Sequence, residues 1–469
     1  MITYDLNARG RKPLYEYLCD CIRRDIISGK LTAHEKLPSK RTFAKHLNVG
    51  VITIANAYEQ LLTEGFLYAE EKKGYFVEDI SNYVSKPDSN LVPLSYNPTE
   101  PDEELLADFK VNRTSLAHFP ASIWSKYMRE ALSLRDGSLY KTVPYKGLYD
   151  LRYAIANYLR RTRGMDVTSG QIIIGAGTEY LYSRLMQMFG RATTFAIENP
   201  GYKKFAAISS NHGNPWKYVP IDEHGLDIEA LEDSGADVVH ISPANHFPTG
   251  IVMPVTRRVE LFEWVNRAKK RYIIEDDYDS EFRYSGKFIM PLFAQDVNNK
   301  VIYINTFSKS MVPSLRISYM VLPDQLLKRY EETMSFYSCT VSSFEQYALA
   351  RFIENGHLER HINHLKTYYR TQRLEIISAI LRSPLSSVSE IKERNAGTHF
   401  LLRIDTRLSE KQIRARAEAE KLRLSFFSDY GYTEQARGCT LVINYAAIEP
   451  ARISNVISRL CCLFPETAG

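Results

Sequence analysis

No stretch of this 469-residue chain approaches the ~18 consecutive apolar residues that a membrane-spanning helix needs. The opening, MITYDLNARGRKPLYEY, has no apolar h-region, so a secretory leader is not expected. Cysteine is scarce: the six are Cys19, Cys21, Cys339, Cys439, Cys461 and Cys462, with no CxxC pair matched by a second ligand pair at zinc spacing. They read as reduced thiols of a cytoplasmic protein, without metal. Internal repeats and low-complexity tracts are missing. The net charge of +5 is too small to imply nucleic acid by itself; a local basic patch would be required. What is present, 44% apolar and 25% charged residues over a length that suits two or three domains, describes a globular protein with sizeable cores.

Residues 1–80 read as a unit of their own. Leu14, Leu18, Cys21, Ile22 and Ile26 recur at helical spacing after Pro13, and Gly29 ends the pattern. LPSKRTFAKHLNV predicts a second helix capped by Ser39, with Phe43, Ala44 and Leu47 inward. ITIANAYEQLLTEG predicts a third, with Ile54, Ala55, Tyr58, Leu61 and Leu62 on one face. FLYAEEKKGYFVEDI then gives two short strands around a turn at Lys72–Gly74. Three helices and a hairpin make a winged helix-turn-helix. Lys36, Lys40, Arg41 and Lys45 fall within residues 36–45, which contain no acid, a patch suited to phosphates. A solvated helix face is the plainer reading of those charges, but helix order, turn and hairpin all favour contact with DNA.

Residues 81–108 are polar and proline-containing, with acids at Glu100–Glu104, and read as a linker. From residue 109 onward, helical stretches alternate with short apolar runs: QIIIGAG, TTFAIENP, DVVHISP, RYIIEDDY, KVIYINTF and RISYMVL. Such runs imply strands buried on both faces, hence an α/β fold with a large parallel-rich sheet. From about residue 360, THFLLRI, RLSFFSD and CTLVINYA suggest a small C-terminal α/β subdomain.

The chemistry gathers at strand ends, where open α/β sheets place ligands. In GAGTEYLYSRL, the small residues Gly175, Ala176 and Gly177 let a ligand approach the backbone, and Thr178 adds a hydroxyl at a helix N-terminus. IIEDDYDSEF ends a buried strand in three acids, so one should meet a cation. Metal binding by Asp276 and Asp277, or a carboxylate holding a protonated pyridine nitrogen, would both fit. TFSKSMVPSLR decides between them. Lys309, after the strand VIYIN, would have its pKa lowered by desolvation and become a nucleophile. Arg316 offers a bidentate fork for a phosphate, with the hydroxyls of Thr306 and Ser308 completing the cup. An aldehyde, a ring nitrogen and a phosphate are the groups this set needs, and pyridoxal 5'-phosphate carries all three.

Taken together, TFSKSMVPSLR, EDDYDSEF, GAGTEY, ENPGY and FPTG resemble the fold-type I aminotransferase domain. The segments LPSKRTFAKHLNV, AYEQLLTEGFLY and GYFV resemble the GntR-type winged helix. Their fusion in this order resembles the MocR (GabR-like) subfamily of GntR regulators. That resemblance implies a Schiff base at Lys309, Asp276 on the pyridine nitrogen, Tyr278 on the ring oxygen and Tyr202 stacked on the ring. Gly177, Thr178, Thr306, Ser308 and Arg316 would hold the phosphate. Lys40 and Arg41 would contact DNA, Thr53 would sit on the recognition helix, and Lys72 and Lys73 would reach DNA from the wing. Three features depart from the pattern. Phe247 stands where aminotransferases usually carry asparagine, with Asn245 and His246 just upstream. Val442 stands where a carboxylate-binding arginine is usual, leaving Lys204 or Arg437 as substitutes toward an effector. Gly50 and Val51 stand where an arginine often opens the recognition helix.

The resemblance implies a homodimeric, DNA-binding transcriptional regulator that senses pyridoxal phosphate or an amine forming an external aldimine. The alternative is an active aminotransferase carrying a DNA-binding head. The missing carboxylate arginine leans the expected signal toward pyridoxal phosphate itself.

Overall fold

The computed structural model describes residues 2–10, 12–80, 105–110, 118–134, 137–284, 289–392, 395–431 and 438–464. Its contacts divide the chain into two compact units, Met1–Glu100 and Pro101–Gly469.

In the small unit, α1 (Leu14–Ile27), α2 (Lys40–Leu47) and α3 (Val51–Thr63) precede β1 (Leu67–Glu70) and β2 (Gly74–Val77). Ser39 caps α2 by accepting the Thr42 N–H at 3.2 Å, and Asn48 ends it in a left-handed conformation. The hairpin turn places Lys72 at φ 63° and Gly74 at φ 119°. The core of this unit forms where the helices meet: Tyr58 is fully buried, donates to Pro38 O at 3.0 Å, and packs on Phe43 and Tyr75. One expectation needs correction. On α3 the fully buried alanine is Ala57, while Ala55 and Leu62 sit half-buried at the edge of the face. Residues i and i+3 share a helical face, and Ile54 with Ala57 satisfies that better than Ile54 with Ala55.

The large unit is built on an eight-stranded sheet. Its strand order is Ile172–Gly175, Ser318–Val321, Val301–Thr306, Tyr272–Asp276, Val238–Ile241, Phe195–Asn199, Trp216–Asp222 and Gly225–Leu226. The five strands from Val301–Thr306 to Trp216–Asp222 pair in parallel. Ser318–Val321 runs antiparallel between its neighbours, and Gly225–Leu226 runs antiparallel at the edge. The central strands are buried throughout, as their unbroken apolar runs require. Trp216–Asp222 buries only Val219 fully and leaves four of its seven residues exposed, and its sequence carries no such run.

A separate core belongs to the C-terminal subdomain. Ser389–Lys392, His399–Ile404 and Cys439–Asn444 form an antiparallel sheet packed against the helix His357–Leu381 and the helix Ile453–Cys462. RLSFFSD yields only a two-residue strand, Leu422–Arg423, followed by a 3-10 turn at Phe427–Tyr430. Residues 81–104 of the expected linker lie outside the described residues, but its last part buries surface. Ala107–Asp108 pairs in parallel with Leu422–Arg423, and Ala107 joins the subdomain core. No helix among the described residues is long and apolar enough to cross a membrane.

One buried charge network ties the helix Tyr149–Arg163 to the segment after Asp276. Arg163 lies 3.0 Å from Glu281 and 3.9 Å from Asp277 and donates to Ser280 Oγ at 2.5 Å; all three charged side chains are buried. Tyr303 donates to Asp277 Oδ2 at 2.6 Å. Removing one partner from such a buried set leaves uncompensated charge and costs about 3–5 kcal/mol. Arg163→Met should therefore destabilise the large unit by about that amount in denaturant unfolding. An unchanged midpoint would show that the network contributes nothing.

Candidate functional site

The consecutive acids that end the strand Tyr272–Asp276 go to different partners, because successive side chains of a strand point to opposite faces. Glu275 accepts the N–H groups of Leu292 and Phe293 at 2.8 and 2.9 Å, capping a short helix, and burial raises its pKa to about 7. Asp277 turns toward Tyr303 and Arg163. Asp276 turns the other way. Its Oδ2 accepts from Tyr182 at 2.9 Å and lies 3.6 Å from His240 Nε2, whose ring also reaches the Tyr182 hydroxyl at 3.1 Å. Its Oδ1 is buried and has no hydrogen-bond partner. The two aspartates diverge, which does not suit a shared metal ion.

Asp276 opens into a cavity of about 330 Å³ at the carboxyl ends of the parallel strands. Lys309, Tyr278, Tyr202, Thr178, Thr306, Ser308 and Arg316 all line it. The Lys309 ammonium sits 5.9 Å from the centroid of the Tyr278 ring. Burial pushes its pKa from 10.5 down to about 8, against the opposing pull of the Asp279 and Asp276 carboxylates. Asp279 is itself raised to about 7 by burial, although both its oxygens accept from Asn245 at 2.9 Å. Tyr278 donates to Asn245 O at 3.1 Å.

An anion cup occupies one end of the cavity. Gly177 precedes the helix Thr178–Phe189 with φ 93°, and a Cβ there would lie 2.3 Å from Arg316 Nη2. Glycine is therefore required both by the backbone angle and by the guanidinium packed against it. The Ser308 hydroxyl is buried and unpartnered. Thr306 is already engaged: its Oγ1 accepts from Ser318 Oγ at 2.8 Å and from Ser308 N at 3.1 Å, fixing the loop that carries Lys309. Glu179, in the first turn of the helix, ion-pairs with Arg316 at 2.8 Å and with Lys204 at 2.7 Å.

The walls account for the departures noted in the sequence. Phe247 lines the cavity, caged edge-on by Tyr430 at 4.6 Å and His399 at 5.0 Å. Asn245 and His246 point elsewhere, to Asp279 and to Thr249. Val442 lines the cavity without a charge, Lys204 reaches it but is paired with Glu179, and Arg437 lies outside the described residues.

Several lining residues were not singled out from the sequence. Glu198 accepts the Ser242 N–H at 3.0 Å, and burial lifts its pKa to about 8, so it is a neutral acid at pH 7. Tyr182 and His240 orient Asp276 from within a helix and a strand, where they read as core residues. Lys110 follows the strand Ala107–Asp108 and lies on the rim. Its only signal was its place beside a segment read as linker.

On the small unit, Arg41 is exposed on α2, and Lys40 is half-buried with its ammonium 5.0 Å from the Tyr75 ring centroid. Thr53 lies half-buried in the first turn of α3. Lys72 is exposed at the hairpin tip, and Lys73 pairs with Glu70 at 2.7 Å.

A three-helix unit with a wing, followed by a fold-type I sheet with a lysine and a carboxylate at its strand ends, defines a DNA-binding regulator carrying an aminotransferase-like domain. Comparison with known proteins agrees. Residues 14–77 match the model of the bacterial regulatory proteins, gntR family, and residues 108–460 match that of aminotransferase class I and II. The chain is 33% identical, over 98% of both chains, to an uncharacterized HTH-type transcriptional regulator, YdeL, of Bacillus subtilis. It is 30% identical, over 85% of both, to the HTH-type pyridoxine biosynthesis transcriptional regulator PdxR of Corynebacterium glutamicum. Among solved structures, a kynurenine aminotransferase of Pyrococcus horikoshii superimposes with a TM-score of 0.69 at 22% identity, covering 78% of this chain and 92% of the other. The chain belongs to the MocR-like subfamily of GntR-type transcriptional regulators.

The depressed pKa of Lys309 has a direct readout. With a small amine-acylating reagent, modification of Lys309 should reach half its maximal rate near pH 8, where half the amine is neutral. Surface lysines should reach theirs near pH ~10.4. Peptide mass spectrometry across a pH series measures both, and a Lys309 midpoint coincident with the surface set would refute the desolvated environment.

Proposed function

We propose that the large unit binds pyridoxal 5'-phosphate at Lys309 and that its occupancy controls DNA binding by the winged unit, with pyridoxal phosphate itself as the signal. The observation that carries this reading is the convergence in one cavity of a desolvated amine, an orphaned carboxylate oxygen, an orphaned hydroxyl and a guanidinium packed on a glycine.

The residues fit the cofactor group by group. When bound, pyridoxal phosphate supplies an electrophilic aldehyde carbon, a basic ring nitrogen and a phosphate dianion. Lys309 offers a nucleophile that is substantially neutral near pH 8. Asp276 Oδ1 offers an unsatisfied acceptor for a protonated ring nitrogen, held in place by Tyr182 and His240. Gly177, Thr178, Ser308 and Arg316 would take the phosphate, with Thr306 shaping the loop. Tyr202 would cover one ring face and Tyr278 would serve the ring oxygen. Among the described residues, Phe247 and Val442 give their part of the wall an apolar character, which supports the cofactor over an amino acid as the signal. The named role of the relative PdxR in pyridoxine biosynthesis supports the same choice.

A second reading, an amine or amino-acid effector, draws on Lys110 at the rim, a cation that could meet an anionic tail. Sustained turnover with an amino donor and a keto acid would instead mark an aminotransferase with a DNA-binding head. We further propose that the large unit forms a homodimer, so that two winged units read paired half-sites through Lys40, Arg41, Thr53, Lys72 and Lys73.

Borohydride reduction of the pyridoxal-phosphate-treated protein should leave the cofactor's mass on the peptide containing Lys309 and not in Lys309→Ala. Pyridoxal phosphate should shift the affinity of the wild type for its own upstream duplex by at least about threefold, since a signal acts only through differential affinity. It should leave Lys309→Ala unmoved. No adduct, or equal shifts in both proteins, would sink the reading.

The cup yields a further expectation. The Glu179 carboxylate holds the same two cations a phosphate would seek, and the ion pairs are partly exposed, so the competition is modest. Glu179→Gln should tighten pyridoxal phosphate binding about three- to tenfold in an absorbance titration, and leave phosphate-free pyridoxal little changed. Weaker binding would mean that Glu179 instead orients Arg316 for the ligand.

A further inference from the structure

The DNA-facing candidate helix, α3 (Val51–Thr63), contains no lysine or arginine. Its inward face is complete: Ile54, Ala57, Tyr58 and Leu61 are fully buried. Its outward face begins with two branched aliphatic residues in water, Val51 at 46% and Ile52 at 76% exposure. One turn beyond Ile52 on the same face lies exposed Asn56. The N-cap is Gly50, which has no side chain to satisfy the first N–H groups. Exposed cations flank the helix along the chain: Lys36, Arg41 and Lys45 precede α3, and Lys72 follows it at the hairpin tip. A basic surround with an apolar, cation-free centre suits a ligand that is anionic along its edges and apolar in its middle.

Duplex DNA is such a ligand only at particular base pairs. In the major groove guanine presents two acceptors, read by arginine or lysine forks, which α3 lacks. Thymine alone presents an apolar group, its C5 methyl, and adenine is the base that a side-chain amide pairs with in bidentate fashion. We propose that the half-site read by α3 is centred on A·T pairs, with Ile52 and Val51 packed on thymine methyl groups and Asn56 on an adenine edge. Specificity then comes from methyl burial and one amide, while Arg41, Lys45 and Lys72 supply sequence-independent phosphate contacts. The inference rests on the DNA-binding reading of the small unit and goes beyond it in naming the bases.

The test uses the full-length protein and a randomised duplex pool. Duplexes retained after rounds of selection should share A·T pairs at the centre of each half-site. In a retained duplex, replacing a central thymine by deoxyuridine removes only the methyl group. It should weaken wild-type binding about fourfold, the value of one buried methyl. Ile52→Ala should weaken binding to the thymine duplex by a similar factor and lose its sensitivity to deoxyuridine. Because Ile52 is exposed, this variant should keep the wild-type melting temperature. Asn56→Ala should relax the preference at one adenine.

A selected core of G·C pairs, or equal deoxyuridine effects in wild type and Ile52→Ala, would overturn the proposal while leaving DNA binding intact. A change of sedimentation in Ile52→Ala without a change in DNA affinity would also overturn it, since the patch would then be a contact between copies of the chain. Failure of the folded protein to retain any duplex would instead remove the DNA-binding reading itself.

Discussion

Everything at the site depends on a primary amine and several carboxyl groups being drawn out of water together. Burial alone would neutralise each of them. It pushes Lys309 down to about 8 and lifts Asp279 and Glu198 to about 7 and 8. The amine stays within range of both protonation states because Asp279 and Asp276 partly offset its desolvation. The fold supplies this balance by ending neighbouring strands at one edge: Asp276 pairs in register with Ile304, two residues before the loop that carries Lys309. Moving either strand by one residue would exchange Asp276 for a neighbour that faces the opposite side of the sheet.

The charge pattern around that edge separates support from function. Glu275 and Asp277 are spent on the scaffold, one capping a helix and the other joined to Tyr303 and Arg163. Asp276 and Asp277 each keep one buried oxygen without a hydrogen-bond partner, but of the three acids only Asp276 lines the cavity. Three acids in a row therefore have three sets of neighbours, and only the middle one lines the cavity. The same division holds among the hydroxyls, where Thr306 shapes the loop and Ser308 remains available.

Much of this was legible in the sequence because buried parallel strands leave unbroken apolar runs, and because lysine and acids at the ends of such runs are costly without a purpose. Six of the eight strands of the large sheet announce themselves in this way. Trp216–Asp222 does not, since Lys217, Tyr218, Pro220 and Asp222 are exposed and only Val219 is fully buried. Ser389–Lys392 and Ala107–Asp108 are short edge strands, the second paired with a partner distant in the chain, and two to four residues of mixed polarity carry no period. Lys309, Asp276, Tyr278, Tyr202, Thr178, Thr306, Ser308 and Arg316, which line one cavity, were readable from motif chemistry. Tyr182, His240 and Glu198 were not, because each sits inside a regular element and looks like core or like part of a turn. Their importance comes from tertiary neighbours, a hydroxyl near an imidazole and both near a carboxylate, which no local pattern encodes.

A sensor and an enzyme need different things from such a cavity. Turnover demands a clamp that holds the reacting substrate in one orientation, since positioning is a large part of rate. Among the described lining residues, Phe247 is locked by Tyr430 and His399, and Val442 offers no charge. Sensing demands occupancy that follows concentration, and therefore an affinity matched to the signal rather than as tight as possible. The anion cup has that character: its guanidinium is partly exposed and already shared with Glu179, and Lys204 is held by the same carboxylate. A dianion entering the cup must exchange with an existing ion pair instead of filling a vacant one, so part of its electrostatic gain is offset by what it displaces. Under the proposed reading, that exchange would leave Lys309 and its neighbouring carboxylates in place while lowering the grip on the phosphate.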